Sequence, residues 1–183
     1  MRTVQIAPPD PRWAQQFHQE SQVVKAALGP NAVTVHHIGS TAVPDIHAKP
    51  IVDMLVEAAD IQAVDRYSHA MEEQGYQALG EHGIPGRRYF RKVDPAGVHL
   101  FHVHVFQVGS LEAQRHLAFR NFLRAHPDWA HRYSELKRAL AAAYPTDLEA
   151  YMDGKAPFIQ EAERRALAWW TGSQRPVEGD NRA

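Results

Sequence analysis

Residues 33–57 read VTVHHIGSTAVPDIHAKPIVDMLVE, two β-branched runs flanking a Gly-Ser-Thr turn and a Lys-Pro pair. Val33 to Ile38 predicts one strand and Ile51 to Glu57 a second, because such runs bounded by Gly and Pro suit a pleated, half-buried surface. Asp53 interrupts the second run between Ile51-Val52 and Met54-Leu55-Val56. A carboxylate there is costly unless it is paired, hydrogen-bonded or metal-bound. Side chains alternate across a strand, so Val52, Met54 and Val56 share one face while Ile51, Asp53, Leu55 and Glu57 share the other. In the later run from Val98, Phe101, Val103 and Val105 form an apolar face and leave His102 and His104 opposite. If both apolar faces enter one core within one sheet, Asp53, His102 and His104 emerge together on the far face.

Working outward, Thr3 to Ala7 predicts a short strand, and Asp10-Pro11 opens a helix with Trp13, Phe17, Val24 and Ala27 inward, ending at Gly29-Pro30. Asp60 is expected to cap a helix reaching about Gln74 and stopped by Gly75. Three strands follow, Tyr76 to Leu79, Arg87 to Val93 and Val98 to Gln107, joined by Gly- and Pro-containing turns that favour antiparallel pairing. From Ser110 onward the pattern is helical. Trp129, Tyr133, Leu136, Leu140 and Tyr144 form one stripe of a helix started near Pro127. Thr146 with Glu149 has capping-box form, and a last helix is expected from about Lys155 to Trp170. Trp129, Trp169 and Trp170 sit on helical stripes and read as core. Residues 171–183 read as a flexible tail. The expectation is α+β: a mixed β-sheet flanked by helices in one domain over 1–170, sheet-rich over 1–108 and helical over 109–170.

Composition fits one ordinary soluble domain: 183 residues, 44% hydrophobic and 22% charged. With 20 Lys plus Arg against 21 Asp plus Glu, the broad positive field of a nucleic-acid or anionic-membrane binder is missing. The lack of cysteine excludes disulfides, thiolate metal sites and cysteine nucleophiles, and fits a reducing compartment. No apolar run reaches the roughly 18 residues of a membrane span, and Met1 to Trp13 lacks a secretory apolar core. A cytoplasmic location is expected.

A Gly39-Ser40-Thr41 turn presents consecutive backbone N–H groups and two hydroxyls, which can hold phosphate oxygens, although the same triplet also serves ordinary turns. Lys49 adds a cation close by. Arg88 and Lys92 share a strand face, Arg120 and Arg124 lie one helical turn apart, and Lys137 and Lys155 approach from the terminal helices. Each suits phosphate. Surface ion pairs with Asp128, Glu135, Glu161 or Glu163 are the competing use for them. His102 and His104, about 6.6 Å apart along a strand, suit co-ligation of one ion as well as ordinary hydrogen bonding, and His36 or His37 offers a further ligand.

The loop with its following strand, Gly86-Arg87-Arg88-Tyr89-Phe90-Arg91-Lys92, His99-Leu100-Phe101-His102-Val103-His104, Phe119-Arg120-Asn121-Phe122-Leu123-Arg124 and Tyr133-Ser134-Glu135-Leu136-Lys137 together resemble the GrpB family. The resemblance runs in order from Val4 to about Trp170. That family is assigned to the nucleotidyltransferase superfamily typified by DNA polymerase beta. The resemblance implies Gly39 and Ser40 at a nucleoside triphosphate and strand acids holding divalent metal, Mg²⁺ or Mn²⁺. Active members commonly carry a strand Asp-x-Asp pair and a third carboxylate, since two hard ions need oxygen ligands. Here the second position is Leu55, Glu57 lies roughly 13 Å from Asp53 along the strand, and the neighbouring strand offers His102 and His104, which admit Zn²⁺.

Three readings stay open. In the first, an enzyme transfers a nucleotidyl group to an unidentified acceptor, with Asp53, His102 and His104 as the catalytic and metal set. In the second, a degenerate member binds a nucleotide or another phosphorylated small molecule without turnover. The third is a His-based metal-binding hydrolase-like module.

Overall fold

The computed structural model describes residues 3–173. Five strands form one mixed sheet: β1 (Ala32–Ile38), β2 (Val52–Ala58), β3 (Tyr76–Ala78), β4 (Arg88–Val93) and β5 (His99–Gln107). Their spatial order is β1-β2-β5-β4-β3. β2 and β5 run parallel at the centre, and the remaining pairs are antiparallel. The five helices are α1 (Arg12–Leu28), α2 (Ser68–Glu73), α3 (Leu111–Ala125), α4 (Pro127–Ala143) and α5 (Leu148–Ser173). The architecture is therefore the expected α+β, with a sheet-rich first part and a helical last part.

Alternation decides what each sheet face meets. Val52, Met54 and Val56 of β2, Val103 and Val105 of β5 and Phe90 of β4 point into the main core, where Trp13, Val24 and Leu28 of α1 and Met71 of α2 cover them. Across the sheet, Ile38, Leu55 and Phe106 pack on Ala113 of α3. A third cluster joins Ala118, Phe122 and Leu123 of α3, Ala130 and Tyr133 of α4 and Ala166 of α5 to Val43 and Ile46 of the loop after β1. That loop is thus clamped between the sheet edge and the helical part. Gly154 lets α5 approach α4 closely: a Cβ there would lie 2.4 Å from Leu140 Cδ2.

Several local expectations change. The segment from Thr3 to Ala7 is no strand: Ala7 makes one bridge with Ala48, and Val4 N–H donates to the Pro145 carbonyl. Asp60 caps as expected, accepting from Gln62 and Ala63 N–H, yet it opens a 3₁₀ segment (Gln62–Tyr67), with α2 only at Ser68–Glu73. α5 begins at Leu148, seven residues early, because Asp147 rather than Thr146 takes the cap: its Oδ1 accepts from Ala150 N–H and its carbonyl from Tyr151 N–H. Pro157 lies inside α5 without ending it. On α4 the buried stripe is Ala130, Tyr133, Ser134 and Lys137, while Tyr144 is exposed. Thr171 to Ser173 are helical, and the remainder of the expected tail lies outside the described residues.

Candidate functional site

The parallel register sets Asp53 opposite His102 and Leu55 opposite His104. His102 Nδ1 lies 3.1 Å from Asp53 Oδ1, and His104 Nε2 lies 3.9 Å from the same oxygen. His99 Nδ1 lies 2.8 Å from His102 Nε2. On the other flank, Arg87, only 5% exposed, donates from Nη1 to His104 Nδ1 at 3.2 Å and from Nε and Nη2 to the carbonyls of Glu81 and His82. A guanidinium can only donate, so His104 Nδ1 is the acceptor and the proton of the neutral ring sits on Nε2, facing Asp53. Burial pushes the His104 imidazole below its ordinary range, against the pull of Asp53. Burial alone would raise the Asp53 carboxyl, but the hydrogen bonds of His102 and His104 outweigh it and hold the group well below the usual carboxylate range.

Gly39 explains how the loop reaches this carboxylate. Its φ of +69° is costly for any residue with a side chain, and a Cβ there would lie 2.5 Å from Asp53 Oδ2. Ser40–Ala42 then form a 3₁₀ turn. Thr41 is buried, with Oγ1 2.9 Å from His37 Nε2 and within reach of the Ile51 carbonyl. Ser134 of α4 accepts from His47 N–H, fixing the far end of the loop.

Between the loop, the Asp53 end of the sheet and helices α4 and α5 lies a cavity of about 960 Å³. Ser40, Thr41, Lys49, Asp53, His102, Lys137 and Lys155 line it. Asp53 is the one acidic side chain among its described lining residues. Tyr151 organises the cations: Lys49 and Lys155 place Nζ 4.7 and 4.9 Å from its ring centre. Lys137 Nζ lies 4.4 Å over the Tyr133 ring. It is buried, 2% exposed, and makes no hydrogen bond. Burial, with Lys155 adding repulsion, pushes its ammonium down to about 7. Lys155 is likewise lowered by burial, partly offset by Asp53. Val98, Leu148 and Met152 supply an apolar rim.

The other basic residues named from sequence lie elsewhere. Arg88 and Lys92 alternate onto the opposite sheet face, where Arg88 binds Asp65 and Lys92 binds Glu20. Neither reaches the cavity. Arg120 donates to the His37 carbonyl and Arg124 to the Ala42 carbonyl, so both pin the loop from behind. His36 pairs with Glu57, and His37 stacks on Phe17 of α1, so neither joins Asp53. Sequence reasoning missed Arg87, His99, Tyr133 and Tyr151. Leu148, Tyr151, Met152 and Lys155 follow a helical spacing, a signal hidden by starting α5 at Lys155.

The family model for the GrpB protein matches residues 3–165. The chain belongs to the GrpB family. The UPF0157 protein YqkA of Bacillus subtilis (strain 168) is 43% identical over 93% of this chain, which spans 49% of YqkA's length. The crystal structure of conserved protein GrpB from Enterococcus faecalis superposes with a TM-score of 0.87 at 42% identity, covering 91% of this chain and 99% of that one. A Mycolicibacterium paratuberculosis protein named dephospho-CoA kinase is 30% identical over 91% of this chain, which covers 46% of it. The polymerase core of TRAMP, an RNA surveillance complex, overlaps 79% of this chain at a TM-score of 0.46 and 14% identity, too loosely to bear on function.

The donor set does not suit the two divalent ions that the superfamily resemblance implies. His104 turns an N–H, not a lone pair, toward Asp53. Leu55 is fully buried where a second strand acid would stand, and Glu57 is held by His36 and Gly109 N–H. Among the described residues, no group of three or more acidic or imidazole side chains has metal-holding geometry. No helix among them is long and apolar enough to cross a membrane.

Proposed function

We propose that this GrpB-family chain binds a phosphorylated, nucleotide-type small molecule in the cavity between the Gly39–Pro50 loop and helices α4 and α5. The observation that carries the reading is the buried Lys137 ammonium with no hydrogen-bond partner. A buried cation without a partner is destabilising, and an arriving anion relieves it. Lys49 and Lys155 supply further charge, and Ser40 lies among them as a polar contact. The apolar rim formed by Val98, Leu148 and Met152 suits a base or another weakly polar group attached to the phosphates. The cavity volume sits at the upper end of the roughly 300–1,000 Å³ typical of small-molecule sites.

Binding, rather than two-ion nucleotidyl transfer, is the function these side chains support best, since Leu55, His102 and His104 stand where acids beyond Asp53 would hold the ions. The relative named dephospho-CoA kinase adds a phosphorylated coenzyme precursor to the compounds worth testing. The experiment is a thermal-shift and calorimetric panel of the four ribonucleoside triphosphates, dephospho-CoA and inorganic tripolyphosphate, run with and without Mg²⁺. At least one phosphorylated compound is expected to raise Tm in the wild type and to lose its effect in Lys137→Met. A panel without any shift, or an unchanged affinity in folded Lys137→Met, would overturn the reading. Pyrophosphate release from a bound triphosphate would add transfer to binding.

A further inference from the structure

We infer that the cavity takes its phosphate groups free of divalent cation, its lysines occupying the role that metal ions hold in two-ion sites. This rests on the phosphorylated-ligand reading and adds to it the ionic form of the ligand. Four observations carry it. The guanidinium of Arg87 fixes His104 with its proton on the nitrogen that faces Asp53, so a cation approaching that carboxylate meets an N–H. His102 is held at both nitrogens, by Asp53 on one side and His99 on the other. Leu55 and the engaged Glu57 leave Asp53, whose Oδ1 already faces two imidazoles, as the one carboxylate among the described residues lining the cavity. Arg87, on the side of His104 away from Asp53, adds fixed positive charge behind the ring.

Lys137 and Lys155 complete the argument from the other side. A polyphosphate complexed by Mg²⁺ has already given up part of its charge, and the ion occupies oxygens that these ammonium groups would contact. Metal and protein therefore compete for the same oxygens, and linkage makes the competition reciprocal. Asp53 turns Oδ1 to both imidazoles, while Oδ2 lies against Gly39, where a Cβ would come within 2.5 Å.

The test is isothermal titration calorimetry of the intact chain with inorganic tripolyphosphate and with ATP, once in EDTA and once in excess Mg²⁺ or Mn²⁺. Affinity is expected to be about 5- to 100-fold tighter in EDTA, the usual span of a coupling between two sites. Lys137→Met is expected to abolish the EDTA-phase binding, and Lys155→Gln, altered nearer the helix surface, to weaken it. Equal or tighter binding with the metal would overturn the inference and leave the phosphorylated-ligand reading standing. Absence of binding to any panel compound in either buffer would remove both.

Discussion

Replacing Lys137 by methionine is expected to make the protein more stable while destroying its ligand site. The unfolded lysine holds its proton to about pH 10.5 and the folded one only to about pH 7. Between those values the unfolded chain binds more protons than the folded one, so the wild type gains stability as pH rises through that window. Integrated, the buried charge costs about 4 kcal/mol at pH 7. The contact with the Tyr133 ring, 4.4 Å away, returns about 1 kcal/mol of that, so Lys137→Met is expected to gain about 3 kcal/mol at pH 7. For a chain of this size that is about 6–12 °C in Tm. By pH 10 the unfolded lysine is itself losing its proton, and the advantage shrinks below about 1 kcal/mol. Urea unfolding of both proteins at pH 7, 8.5 and 10 measures this, and titrating groups that do not interact with Lys137 cancel in the difference. A variant less stable than wild type at pH 7, or a gap independent of pH, would refute the claim that an unrelieved ammonium is stored in the cavity.

Three further outcomes are expected. Gly39→Ala should lose about 2–4 kcal/mol and weaken phosphate binding together, because the φ of +69° and the 2.5 Å approach to Asp53 Oδ2 force the loop away from the carboxylate; chemical denaturation and calorimetry check both. Arg87→Met should cost about 2–4 kcal/mol, since two carbonyls and His104 Nδ1 lose their buried donor, and NMR of the His104 ring should show an Nδ1 that has lost its hydrogen bond while Nε2 keeps the proton facing Asp53. Lys92→Gln should leave tripolyphosphate affinity within twofold of wild type and cost no more than about 1 kcal/mol, because its ammonium serves Glu20 on the far sheet face. A large affinity loss in that variant would contradict the face assignment.

The central sheet was legible because period-two alternation is a strong signal when one face is apolar. Val52, Met54 and Val56 against Asp53, and Val103 and Val105 against His102 and His104, sort the two faces without a structure. The basic residues were harder, since a charge shows its sign in sequence but not the surface that answers it. Arg88 and Lys92 alternate with Tyr89 and Arg91 and share their face with Phe90, which enters the main core; Asp65 and Glu20, which neutralise them, come from distant segments. Arg120 and Arg124 meet loop carbonyls, partners that carry no sequence signature. α5 begins at Leu148 rather than near Lys155, and close packing against Leu140 accounts for Gly154 within it. Arg87 hid beside Arg88, and only the strand boundary separates their roles.

The parallel pairing of β2 with β5 also sets when during folding the site comes into being. Asp53 and His102 are 49 positions apart in sequence, whereas β3, β4 and β5 succeed one another through much shorter connections. Closing the longer loop costs more chain entropy before any contact rewards it, so the antiparallel ladder has the kinetic advantage. The carboxylate therefore meets its imidazoles in the step that docks the β1–β2 hairpin onto an already formed neighbour. Until that step Asp53 is a solvated side chain, and a nascent chain held short of β5 carries the Gly-Ser-Thr loop without the arrangement that gives it a purpose.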